Sequence, residues 1–106
     1  MEIHDPEFLD MSQKQISEVD GIKNLERLTH LFLSNNNIDK IKLNALGGLK
    51  NLNYLRIGKN QLTTTTELLD FNPKNLEEIS LDIEKIAKNE IEQLKKKFGE
   101  TAITLD

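Results

Sequence analysis

The feature that most constrains this chain is a pattern of aliphatic residues and asparagine that occurs twice. It reads L-x-x-L-x-L-x-x-N-x-I over residues 28–38, and it recurs 24 residues later over residues 52–62 with Leu and Ile exchanged at two positions. A random window of this composition would match all five positions only about once in a thousand. Two matches at a fixed spacing therefore indicate an internal repeat.

The same frame extends beyond these two copies in both directions. The positions of Leu31 and Leu33 are filled elsewhere by the pairs Leu9 and Met11, Ile79 and Leu81, and Ile103 and Leu105. The asparagine position is filled by Lys14 in the first copy and by Glu84 in the fourth. Terminal repeats are commonly atypical because they lack a neighbour on one side. Four copies and a final strand meet the need for at least three stacked repeats.

The motif resembles the short leucine-rich repeat, and the resemblance covers residues 9–105. It implies an α/β leucine-rich repeat solenoid of about four repeats, with a curved parallel β-sheet on the concave side and irregular or 3₁₀ segments on the convex side. The frame places strands at residues 8–12, 30–34, 54–58, 78–82 and 102–106. We expect residues 1–106 to form one domain, divided into an N-terminal cap (1–8), repeats (9–84), and a C-terminal cap helix and strand (85–106).

The C-terminal cap has the pattern of an amphipathic helix. Ala87, Ile91, Leu94 and Phe98 follow one another at steps of four, three and four residues, which makes one apolar stripe. Asn89, with Glu92 three residues later, is predicted to cap the N-terminus, and Gly99 follows the predicted C-terminus.

The third copy departs from the frame in the run Thr63 to Thr66. An extended convex segment is the plainer interpretation of this run. A hydroxyl-rich binding patch is the alternative.

Asn36 and Asn60 are expected to be structural. The resemblance implies a buried asparagine ladder at these positions, in which each amide bonds backbone groups left inside the turn. A buried polar group without partners costs on the order of 1–3 kcal/mol. Replacing Asn60 should therefore damage folding before it affects any activity.

The side chains that point outward from the strands are the candidate binding residues. Three of the five aromatic residues in the chain fall at these positions, next to a histidine and an arginine. Aromatic residues and arginine dominate binding hot spots, and acids occupy the outward positions toward the C-terminus. The resulting candidate groove is apolar at one end and acidic at the other, and its candidate partner-binding residues are Phe8, His30, Phe32, Tyr54, Arg56, Glu78 and Asp82. In the alternative interpretation, the N-terminal cap folds over Phe8 and Phe32 and buries them.

Composition argues against other classes of function. Cysteine is absent, which excludes a thiol nucleophile, a thiolate metal site and a disulfide framework. Asp82 and Asp106 are a weak signal for a metal site without further ligands, and no glycine-rich phosphate loop is present. We therefore expect no catalytic residues, no cofactor and no metal. The net charge is −4 and the basic residues do not form a nucleic-acid footprint.

These features lead to two functional hypotheses. The first is an intracellular, cytoplasmic module that binds another protein on its concave sheet as a monomer, for example as a small regulator or immunity-type inhibitor. Its net acidity would suit a basic target. The second is a structural, self-associating fragment of a larger leucine-rich repeat protein. No apolar segment of membrane-spanning length is present in the sequence, so no membrane partner is expected.

Overall fold

The computed structural model describes residues 7–15, 25–39, 46, 49–82 and 85–105. Within this part of the chain, five short parallel strands form one sheet in sequential order: β1 (Phe8–Asp10), β2 (His30–Phe32), β3 (Tyr54–Arg56), β4 (Glu78–Leu81) and β5 (Ile103–Leu105). Residues 1–6 of the predicted cap, Glu84 and Asp106 lie outside the described residues. The predicted parallel sheet is thus confirmed, with one strand for each of the four copies and a fifth from the C-terminal cap.

The register of the sheet is the one that the repeat frame predicts. Leu31 pairs with Leu55, and Ile79 pairs with Ile103, so equivalent positions of successive copies lie side by side. Inward residues such as Leu31, Leu55 and Ile79 are fully buried. Because side chains alternate across a strand, the residues between them lie on the outer side of the sheet, where all except Ser80 are at least partly exposed.

The strands are shorter at their C-terminal ends than the sequence predicts. The second strand ends at Phe32 instead of residue 34, and the third ends at Arg56 instead of residue 58. The backbone adopts a positive φ angle at Gln13, Asn35 and Lys59. A left-handed residue turns the chain out of the extended conformation, which limits the length of the first three strands.

The convex side is built from tight turns that bury leucine side chains. Backbone hydrogen bonds span three residues from Leu49 to Leu46 and from Leu52 to Leu49, at 2.9 and 3.3 Å, and all three side chains are fully buried. In the third copy the same bonding forms a 3₁₀ helix, Thr66–Asp70. This pattern is the 3₁₀ geometry that the leucine spacing predicts.

The cap helix, α1 (Lys88–Phe98), begins one residue before the predicted cap residue. The N-cap is Ala87, which makes no side-chain bond, so the prediction of Asn89 as the cap is wrong. Ile91 and Leu94 are buried as the stripe requires, whereas Ala87 is exposed. Gly99 ends the helix with φ +99°, and its N–H donates to the Lys95 carbonyl at 2.9 Å. A short 3₁₀ turn, Glu100–Ala102, then leads into β5.

The threonine run packs against the start of α1. The Thr64 hydroxyl and the Thr65 N–H both donate to Glu90 Oε1, at 2.6 and 3.2 Å. Thr65 is buried, whereas Thr63, Thr64 and Thr66 are exposed. The contacts of Thr64 and Thr65 therefore join the back of the third copy to the cap helix.

Candidate functional site

The two motif asparagines bond the backbone of their own copy and of the copy before it. The Asn60 amide nitrogen donates to the carbonyls of Leu33 and Ile57, at 2.9 and 3.0 Å, and its oxygen accepts the Ile38 N–H at 3.0 Å. Asn36 donates in the same way to the carbonyls of Met11 and Leu33. Both side chains are buried. This bonding is the ladder that the resemblance implies, and it stiffens the turns that follow the strands.

The outward side of the sheet carries a cluster of four rings, which we call the aromatic cluster: Phe8, His30, Phe32 and Tyr54. His30 stacks on Phe8 with ring centroids 5.4 Å apart, and on Tyr54 with centroids 4.7 Å apart. Phe32 meets Phe8 edge to face at 5.0 Å. The strand register sets this arrangement, because Phe8, His30 and Tyr54 are direct partners on three neighbouring strands.

The aromatic cluster is open to solvent in the described residues. Phe8 is 53% exposed, although a phenylalanine side chain is usually buried. Phe32, His30 and Tyr54 are each half-buried against their neighbours. The alternative in which the cap covers these rings concerns residues 1–6, outside the described part of the chain.

His30 is also held from the edge of the ring. The Thr29 hydroxyl oxygen lies 2.8 Å from His30 Nδ1 and 3.0 Å from the Glu7 carbonyl oxygen. The single hydroxyl proton serves one of these two contacts. The contact with Thr29 ties the imidazole to the start of β2.

Arg56 links the aromatic cluster to the next strand. Its guanidinium carbon lies 4.6 Å from the Phe32 ring centroid, in a cation–π contact. Its Nε donates to Glu78 Oε1 at 3.2 Å, and both side chains are partly exposed. The exposed ion pair contributes little stability, but together with the ring contact it holds the guanidinium in one position on the sheet.

The acidic end of the predicted groove is largely occupied by internal contacts. Both carboxylate oxygens of Asp82 accept backbone N–H groups, from Lys59 at 2.6 Å and from Asn60 at 3.0 Å. Glu78 is engaged by Arg56. Asp106, the third acid of this end, lies outside the described residues. Asp82 therefore contributes to the turn that follows β3.

A polar depression lies beside Arg56 on the same face, with a volume of about 570 Å³. We call it the polar depression, and its lining includes Ser34, Arg56, Lys59, Glu78, Ser80 and Thr104. Ser80 is 4% exposed, and its hydroxyl makes no hydrogen bond in the described structure. The sheet face thus has two neighbouring parts, one aromatic and one rich in hydrogen-bond donors.

Three residues of this face were missed by the sequence frame. Thr29 and Glu77 lie directly before the outward residues His30 and Glu78, and Lys59 lies directly after residue 58, the predicted end of the third strand. The frame considered only alternate outward residues, so it passed over side chains at the strand ends. Glu77 matters because its hydrogen bond with the Tyr54 hydroxyl, followed by the repulsion of its charge, raises the pKa of Tyr54.

Glu77→Gln should lower the pKa of Tyr54 toward its ordinary value of 10.0. The neutral amide removes the negative charge that opposes formation of the tyrosinate. Tyr54 is the only tyrosine in the chain and there is no tryptophan, so the ultraviolet absorbance of tyrosinate reports this one group. Glu67→Gln, at an exposed acid of the 3₁₀ helix, is the matched control and should leave the titration unchanged. Identical titrations of the Glu77 variant and the wild type would contradict the assigned contact.

The described residues contain no cluster of three or more side chains that could hold a metal ion. Among the same residues, no helix has both the length and the apolar character needed to span a membrane.

The fold defines a repeat protein of the α/β class, in which each copy contributes one strand to a parallel sheet. A leucine-rich repeat family model matches residues 9–62, which is half of the chain. The chain therefore belongs to the leucine-rich repeat family. Comparison with curated proteins found no match. Leucine-rich repeat domains generally act as protein–protein interaction modules.

Proposed function

We propose that this chain binds a partner protein through the outward face of its sheet, with the aromatic cluster as the centre of the contact. The observation that carries the proposal is the group of stacked rings, with Phe8 53% exposed. Exposed apolar patches of this kind mark interaction sites in proteins. The rings of the aromatic cluster also lose little conformational entropy on binding, because they already pack on one another.

The contacts of Arg56 support the same proposal. Arginine and tyrosine are among the residues most enriched at hot spots, and here Arg56 is held on Phe32 beside Tyr54. The proposed binding residues are Phe8, His30, Phe32, Tyr54, Arg56 and Glu78. Asp82, also predicted from sequence, would support them by holding the turn at Lys59. We propose no catalytic role for this face.

We propose residues 1–106 as one leucine-rich repeat domain that works as a monomeric regulator or inhibitor of its partner. The absence of cysteine from the sequence supports an intracellular, cytoplasmic setting. A self-associating scaffold is the competing function, favoured by the exposure of Phe8. Mass measurements over a range of concentrations separate the two, because self-association predicts a dimer that Phe32→Ala with Tyr54→Ala would dissolve.

The proposed function is tested by capturing partners from the native source with the wild type and with a Phe32→Ala, Tyr54→Ala, Arg56→Glu variant. Truncating hot-spot residues typically costs at least 2 kcal/mol each, so we expect the variant to lose the captured protein. The matched control is Lys88→Glu, Gln93→Ala, Thr101→Ala, which makes the same change of charge at exposed positions in the C-terminal cap. Circular dichroism checks that both variants fold.

Equal capture by the wild type and the aromatic-cluster variant would overturn the proposal. The irregular back side between Thr63 and Phe71 would then be the next surface to test. Capture that is lost in the aromatic-cluster variant and kept in the control supports the sheet face as the site.

A further inference from the structure

The polar depression offers hydrogen-bond donors that nothing in the described chain uses. Arg56 gives only its Nε to Glu78, and within the described residues its two terminal nitrogens have no hydrogen-bond partner. The Lys59 ammonium has none there either, since only its backbone N–H bonds Asp82. The buried hydroxyl of Ser80 is likewise unpartnered. A buried polar group of this kind normally has a partner.

Three of the four carboxylate oxygens beside these donors are already engaged, and Glu78 Oε2 is the fourth. Glu78 Oε1 receives the Arg56 Nε, and both oxygens of Asp82 receive backbone N–H groups. Glu78 therefore orients the guanidinium without using the terminal nitrogens that form its fork. A fork of this kind matches a carboxylate with two parallel hydrogen bonds.

The charged residues along the outward face favour one orientation of a bound anionic group. Asp10, on β1, is the outward neighbour of Phe32. Hydrogen bonds from the Ser12 backbone and side chain lower the pKa of Asp10, so its carboxylate stays charged near neutral pH. An incoming anion would be repelled by Asp10 at this end and attracted to Arg56 and Lys59 at the other, where the Glu78 carboxylate is paired with Arg56.

We propose that the polar depression receives the carboxylate of an Asp or Glu side chain from the partner protein, while an apolar residue of the same segment lies on the aromatic cluster. This inference rests on the proposed function. It also replaces the expectation of a basic target with that of an acidic residue at this point of the face. The net charge of −4 belongs to the whole chain. Because salt screens charges beyond about 8 Å under physiological conditions, the nearby Arg56 and Lys59 decide the local preference.

The spacing of the strands sets the spacing of the partner residues. Phe32 lies on β2, and its register partners Arg56 and Ser80 lie on β3 and β4. Two strand spacings separate Phe32 from Ser80, about 10 Å. An extended segment advances roughly 3.3 Å per residue, so the acid should lie about three residues from the apolar anchor.

Selection of a displayed library of random dodecapeptides tests this inference. The library is panned for binders in two separate selections, one on the wild type and one on an Arg56→Gln, Lys59→Gln variant. We expect the wild type to enrich peptides with an apolar residue and an acid about three positions apart. The variant should keep the apolar preference and lose the acid. A Lys50→Gln, Lys74→Gln variant makes the same change of charge at exposed lysines that do not line the polar depression, and it should behave like the wild type.

Affinities of one selected peptide complete the test. Replacing its acid with the neutral amide should weaken binding to the wild type about tenfold or more, as expected for a charge-assisted hydrogen bond. The same change should have no effect on binding to the Arg56→Gln, Lys59→Gln variant. Fluorescence of Tyr54, the single tyrosine, gives a signal from within the site.

The possible failures are distinguishable. Peptides that depend on Phe32 and Tyr54 but show no acid preference would overturn the carboxylate site and leave the proposed function standing. An acid preference that persists in the Arg56→Gln, Lys59→Gln variant would also overturn the site. Recovery of no peptide that depends on Phe32 and Tyr54 would count against the site and the proposed function together.

Discussion

Replacing Asn60 with alanine should lower the free energy of unfolding by roughly 4 kcal/mol, at about 1–3 kcal/mol for each buried group left without a partner. The amide of Asn60 is completely buried and serves the carbonyls of Leu33 and Ile57 and the N–H of Ile38. Alanine serves none of them, and the site is too enclosed for water to replace every bond. Domains of this kind are stable by only about 5–15 kcal/mol, so the loss would be large. Denaturant unfolding followed by circular dichroism measures it.

Two other asparagines are the controls for this result. Asn37→Ala, at an exposed position, should change the free energy of unfolding by no more than about 0.5 kcal/mol. The loss of unfolding free energy for Asn36→Ala should lie between those for Asn60→Ala and Asn37→Ala, because the Asn36 side chain is 5% exposed and lies closer to solvent than that of Asn60. A loss below about 1 kcal/mol for Asn60→Ala would show that the ladder does not hold the turns.

Replacing Phe71 with alanine should cost about 4 kcal/mol of unfolding free energy and leave the binding face in place. Phe71 is 2% exposed, and it is the largest of the fully buried side chains in the described core. Its removal leaves a cavity beside the 3₁₀ helix, and such truncations of phenylalanine typically cost 3–5 kcal/mol. The midpoint of denaturant unfolding should fall without a change in slope.

Phe8→Ala also truncates a phenylalanine, but we expect it to weaken binding and to leave stability nearly unchanged. Phe8 is 53% exposed, so its removal should change the free energy of unfolding by less than about 1 kcal/mol. It should instead weaken binding of the captured partner. If Phe8→Ala destabilised the protein as much as Phe71→Ala, Phe8 would belong to the core and the aromatic cluster would be smaller than proposed.

The repeat frame predicted the sheet, its register and the outward rows, because a fixed spacing of aliphatic residues allows only one stacking of the copies. Strand length could not be predicted in the same way. The first three strands end three residues before Gln13, Asn35 and Lys59, which take positive φ angles, and two of these residues are of types that rarely do so. The turn imposes the positive φ angle, and the residue type does not predict it.

The helix cap and the acidic end of the groove show a second limit. Asn89 has the right chemistry for a cap, but α1 begins at Lys88, and Glu90 in its first turn bonds Thr64 and Thr65. Asp82 was predicted to face a partner, and its carboxylate is bonded to backbone N–H groups of the preceding copy. Both outcomes depend on contacts across roughly one repeat, which local patterns do not reveal.

In the contacts that the two motif asparagines and Asp82 make between copies, the side chain belongs to the later copy and the backbone group to the earlier one. This has a consequence for how the chain is made. Asn36 completes the turn of the first copy by accepting the Lys14 N–H, Asn60 accepts the Ile38 N–H, and Asp82 accepts N–H groups of Lys59 and Asn60. Each turn is thus completed by a side chain that a ribosome adds more than twenty residues later. A nascent chain would always carry one unfinished turn at its growing end, until the cap helix and final strand emerge and close the stack.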